Sequence, residues 1–128
     1  MEFVSEVQMW AMGGVLAFNV LDILSGFTQA VVMKCVKSTA IREGLLHKAS
    51  IWLIIAAVYA LEVVAQHVAG LSIEGLGTVP VCVIVIMMEL VSVWENVCKA
   101  NPALKSSPLG RLLDSATEGK GATADDSE

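Results

Sequence analysis

The sequence predicts an all-α integral membrane protein: three transmembrane helices, N-terminus outside, C-terminus cytoplasmic, and a disordered acidic tail. Three observations carry this expectation. Of 128 residues, 55% are hydrophobic and only 16% charged, and the mean hydropathy is +0.70. A soluble domain this small has much surface for little core, and would have to show that apolar material to water. The apolar residues are also gathered into three long runs, each near the ~20 helical residues that cross a bilayer core. Finally, all eight basic residues fall in two blocks outside those runs.

The first run, residues 7–33, is 27 residues long. It reads either as one tilted helix or as a span that ends near Leu21, with residues 22–40 lying along the membrane face as an amphipathic segment. Its Gly13-Gly14 pair reads as a site of close helix packing. Lys34, Lys37, Arg42 and Lys48 follow as a basic connection. The second run covers residues 49–71 and the third residues 79–98. The loop between them, 67–78, has no Lys or Arg, and Gly70, Gly75, Gly77 and Pro80 punctuate it and the start of the third run. Lys99, Lys105 and Arg111 follow the third run. Basic loops stay on the cytoplasmic side, so both blocks belong inside, at the membrane surface, and the 67–78 loop and N-terminus outside. Residues 1–113 form the membrane domain. Residues 114–128, polar and acidic, should be a disordered cytoplasmic tail.

The same arithmetic excludes several function classes. Thirteen acidic residues against eight basic give a net charge of −5, with no basic excess for nucleic acid. Cys35, Cys82 and Cys98 are too scattered for a disulfide framework or a zinc site. No phosphate-cradling glycine loop and no Cys–His or Ser–His–Asp set is evident. The expectation is a non-enzyme without metal or cofactor, whose partners are the lipid bilayer and further copies of itself.

The chemistry lies in the carboxylates near the centres of the apolar runs: Asp22, Glu62 and Glu89. A mid-membrane carboxylate costs ~3 kcal/mol on the insertion scale. Residues 51–65 hold eight Leu, Ile or Val residues, which return ~4 kcal/mol between them. The margin is thin, so the carboxylates need another helix or water. At 100° per residue, Thr78, Cys82, Val85, Glu89, Ser92 and Asn96 share one stripe of the third helix. Gln8, Asp22, Ser25 and Gln29 align similarly on the first, with Asn19 at the edge. The stripe of Glu62 is mostly apolar: Ile51, Ile55, Val58 and Tyr59. Two readings follow for the polar stripe of Asp22, Glu62, Glu89, Ser92 and Asn96. It can be satisfied between helices of one chain, or it can meet across subunits and line a wet passage.

These residues also carry a resemblance. Leu21-Asp22-Ile23-Leu24-Ser25-Gly26 resembles the D-x-x-[ST]-G segment of the toxin-secretion and phage-lysis holin family. Lys37-Ser38-Thr39 and Arg42-Glu43-Gly44-Leu45-Leu46-His47-Lys48 look like its S-x-x-x-x-x-G-[LI]-x-x-K connection. Glu89-Leu90-Val91-Ser92-Val93-Trp94-Glu95-Asn96 is similar to its E-x-x-S-x-x-E-N signature. Pro102, Pro108, Leu109 and Leu112 resemble the Pro-and-Leu segment beyond it. The resemblance covers roughly residues 20–113. Its signature positions here are Asp22, Gly26, Gly44, Glu89, Ser92, Glu95 and Asn96. The departures are a reduced G-x-P-x-P element, Asn101-Pro102, and the added acidic tail. The resemblance implies a multi-pass, homo-oligomeric protein of the bacterial cytoplasmic membrane. It would open lesions that release a muralytic enzyme (endolysin) or a toxin, a cargo it does not bind specifically. An antiholin is a further implied partner. The alternatives are a small ion- or proton-conducting transporter, or an antiholin-type regulator.

Overall fold

The computed structural model describes residues 4–118. They form helix α1 (Glu6–Val32), α2 (Ser38–Ala65), α3 (Thr78–Ala100), a 3-10 turn (Pro102–Ser106) and α4 (Pro108–Glu118). Among the described residues there is no strand. Helices α1, α2 and α3 are each long and apolar enough to cross a membrane.

Helix α1 begins in a capping box. The Ser5 hydroxyl accepts from Gln8 N at 3.2 Å, and Gln8 Oε1 accepts from Ser5 N at 2.9 Å, so two orphan donors of the first turn are satisfied reciprocally. The helix is continuous through Val32, so residues 22–32 do not form a separate surface segment. It closes in a Schellman arrangement: Cys35 N donates to Ala30 O (2.9 Å) and Lys34 N to Val31 O (3.1 Å). Lys34 takes the left-handed position, φ 54°, where glycine is the cheaper residue.

Helix α2 departs from the expected second span at both ends. It starts at Ser38, inside the segment expected to be a loop, and ends at Ala65 rather than 71. Residues 38–48 contain no proline, and Ile41, Leu45 and Lys48 keep the helical spacing that Ile51 and Ile55 continue. At the other end, Gly70 (φ 88°) and Gly75 (φ 80°) bend the chain back toward α3. The tail also differs from expectation: residues 114–118 are the last part of α4. Leu109, Leu112, Leu113 and Ala116 recur at i, i+3, i+4 and i+7 there, an amphipathic period. The rest of the tail, 119–128, lies outside the described residues.

Helices α1 and α3 form the main pair. Val15 and Cys82 are 0% exposed and pack with Val85, and Ile51 and Ile55 of α2 close the cluster. Gly14 permits the approach: a Cβ there would stand 2.9 Å from Ile86 Cδ1. Gly13 has open space around it, so one glycine of the pair serves this contact. The outer faces remain apolar, with Trp10, Leu53 and Ile84 strongly exposed. In water these faces would be a large sticky surface; against lipid tails they carry no such penalty.

Candidate functional site: a buried ion network between three helices

The periodic stripes meet inside the single chain. On α3, Thr78, Cys82, Val85 and Glu89 are buried, with Ser92 and Asn96 half-buried in line. On α1, Asn19 is buried and Asp22 and Ser25 half-buried. Between them comes a residue expected at the membrane surface. Lys48 of α2 is 7% exposed, and its Nζ lies 2.8 Å from Asp22 Oδ2 and 2.5 Å from Glu89 Oε2. Lys48 is therefore not a headgroup-facing residue of a cytoplasmic loop. The helix that carries it begins eleven residues earlier than the expected span and turns it inward. The six other basic residues of that expected set, Lys34, Lys37, Arg42, Lys99, Lys105 and Arg111, are all exposed.

Further polar contacts extend the pair into a network. Asn96 Nδ2 donates to Asp22 Oδ1 (3.1 Å) and Ser25 Oγ (3.3 Å). The Asn19 amide, oriented to suit both neighbours, donates to Glu89 Oε1 (3.2 Å) and accepts from Trp52 Nε1 (3.0 Å). Each carboxylate oxygen of Asp22 and Glu89 thus has a donor. A buried charge that is both paired and hydrogen-bonded avoids the full desolvation cost. The network sits deep: Glu89 is the middle residue of α3, Asp22 is three residues past the middle of α1, and Lys48 is within four residues of the middle of α2. All three helices contribute, so the network holds α2 to the α1–α3 pair.

Glu62 plays a different part. It lies one turn from the end of α2, away from its centre, because the helix ends early. Its Oε2 accepts from Thr78 N (3.0 Å) and Thr78 Oγ1 (2.6 Å). It therefore caps the start of α3, where Gly77 offers no side chain to do so. The signature positions divide similarly. Asp22, Glu89 and Asn96 converge, and Gly26 lies beside Asn96, where a Cβ would stand at ordinary contact distance, 3.5 Å from Nδ2. Gly44 and Glu95 are exposed. Among the described residues, no three His, Cys, Asp or Glu side chains gather as a metal site requires.

Residues 2–107 match the bacteriophage holin family. The chain belongs to that family. No curated protein and no solved structure matches it. The family match spans the three long helices and the 3-10 turn, and it stops short of α4. As a holin, the chain is a non-enzymatic, multi-pass protein of the cytoplasmic membrane that associates with further copies.

The sequence reading missed Lys48 and Trp52 as members of the network, and placed Asn19 only at its edge. The signal for Lys48 was present. Extending the Glu62 stripe back past Ile55 and Ile51 by one further turn reaches residue 48.

Proposed function

We propose that this holin accumulates as closed subunits whose polar groups are satisfied within each chain, then oligomerises into lesions that pass a muralytic enzyme or a toxin. The observation that carries the reading is the Asp22–Lys48–Glu89 cluster at the middle of all three spans. Charged groups at that depth are costly in lipid and mark functional positions. Satisfied internally, they let a lone subunit present an apolar surface to the bilayer. In an assembly, the stripe of Asp22, Glu89, Ser92 and Asn96 would exchange these partners for water and for neighbouring chains. Glu62, as a helix cap, holds α3 rather than lining the passage. The cargo needs no binding site on the holin, and an antiholin would act by occupying the subunit faces that associate.

The proposed orientation has the N-terminus and the 67–78 loop outside and the basic blocks inside. That leaves Lys34, Lys37, Arg42, Lys99, Lys105 and Arg111 at the inner surface, where each is worth ~1 kcal/mol against anionic lipid.

The deciding experiment is inducible expression with and without a muralytic enzyme that lacks its own export signal. Expressed alone, the protein should halt growth and depolarise the membrane abruptly. With the enzyme, the culture should lyse. Depolarisation with the enzyme retained inside would instead favour a small conducting channel or a holin of small hole size.

A further inference from the structure

Helices α1 and α2 diverge on the side where the chain turns from one into the other, and leave an open crevice of about 420 Å³. Its walls are apolar: Ile23, Phe27 and Ala30 from α1, Ile41 and Leu45 from α2, and Val36 from the connection. Its floor is polar, formed by Asp22 and Lys48. The Asp22 side chain remains 17% exposed even with Lys48 against it. The crevice runs from Lys37 at the mouth to Lys48 at the floor, eleven residues of helix, or ~16 Å. One leaflet of a bilayer core is ~15 Å deep. The match is to a single acyl chain.

The mouth is cationic. Lys37 lines it, Lys34 lies three residues away, and Arg42 follows on α2, with Glu43 the nearest acid in sequence. The first turn of α2 carries no acidic residue, and no side chain caps it, so its positive end adds to the charge of the lysines. Lys34 occupies the left-handed position of the α1 cap, a conformation a lysine pays for and glycine does not. An outlier of this kind is a reason to ask what the side chain does.

We propose that the crevice holds one anionic phospholipid, with its phosphate against Lys34, Lys37 and the start of α2, and one acyl chain between α1 and α2. The lipid fills the gap between two helices whose shared core, Val15 with Ile51 and Ile55, lies beyond the ion pair, and its chain covers the open edge of Asp22. The proposal depends on neither the orientation of the chain nor on lesion formation.

Native mass spectrometry of the full chain in mild detergent tests this, with phosphatidylglycerol or phosphatidylcholine of identical acyl chains as probes. The wild-type protein should retain one phosphatidylglycerol, in strong preference to phosphatidylcholine. Lys34→Gln/Lys37→Gln should lower that preference roughly thirtyfold, the weight of two lysines at a lipid headgroup. Gly44 lines the crevice and has open space beyond its Cα. Gly44→Leu should therefore fold, as circular dichroism would verify, and lose both lipids. Equal retention of the two lipids by the wild-type protein would overturn the proposal. So would a Gly44→Leu variant that still holds its lipid, or one that keeps its lipid count but loses crosslinked dimers. The last result would assign the crevice to a second copy of the chain.

Discussion

Replacing Lys48 by methionine keeps the length of the side chain and removes its charge. In the folded chain this strands two carboxylates, Asp22 and Glu89, which Lys48 contacts at 2.8 and 2.5 Å. Removing one partner of a buried ion pair costs ~3–5 kcal/mol. Here a single ammonium serves two anions, while Asp22 keeps some exposure and both carboxylates keep an amide donor, so that range is the expected loss. Even ~3 kcal/mol lowers the ratio of folded to unfolded chains more than a hundredfold. Lys48→Met should therefore unfold at a clearly lower temperature in detergent, and should reach a lower level in membranes. The charge-free triple variant Asp22→Asn/Lys48→Met/Glu89→Gln is the control, because exchanging a whole buried ion cluster for neutral groups of similar volume is often neutral or stabilising. It should recover most of the lost stability. Lys99→Met, at an exposed site, should change stability by no more than ~0.5 kcal/mol. If Lys48→Met melted with the wild type, Lys48 would not be the buried counter-ion, and the account of how α2 is held would fail.

Cysteine scanning in a cysteine-free background should label a residue introduced at Ile73 in intact cells and leave one at Ser106 unlabelled; the reverse pattern would invert the orientation. Glu89→Gln leaves the Lys48–Asp22 pair in place and should accumulate normally but shift the time of lysis. Glu95→Gln, on the exposed face, should not, and equal timing for Glu89→Gln and wild type would mean that the network only packs the helices. Glu62→Ala removes the cap on α3 and should cost ~1 kcal/mol of thermal stability, whereas an unchanged melting temperature would show that water caps the helix as well. Gly110→Ala should loosen α4, because a Cβ there runs into the carbonyls of Leu104 and Lys105. Protease sensitivity beyond residue 107 would report it, and unchanged cleavage would argue against that packing.

The number of membrane-spanning helices, and the inward face of α3, were legible from hydrophobic run length and 3.6-residue period. Those signals average over many residues. The partner of the carboxylates was not legible in the same way. Lys48 lies in a basic cluster, Lys34 to Lys48, that resembles a surface loop by composition. Only the continuity of one helical stripe separates it from its neighbours. Glu62 shows the same limit from the other side. It looked central because the apolar run continues through Leu71, yet the helix stops at Ala65. Apolar composition marks what lipid tolerates, whereas the end of a helix depends on its hydrogen bonds and on turn glycines such as Gly70. The α4 helix escaped notice because its apolar period begins among prolines and finishes in an acidic segment.

The tie between α2 and the other two helices has a consequence for how copies of the chain relate to one another. Its polar part comes from Lys48, Trp52 and Glu62 of α2, and any second copy of α2 could also supply them. Trading a helix with a neighbour would replace each bond by its chemical twin, so the exchange conserves bonding and is close to neutral in enthalpy. Such swaps between protomers are a low-cost route to association. What then tips the balance is the concentration of chains in the plane of the membrane, by mass action. If copies exchange helices in this way, association should rise with the density of chains in the membrane.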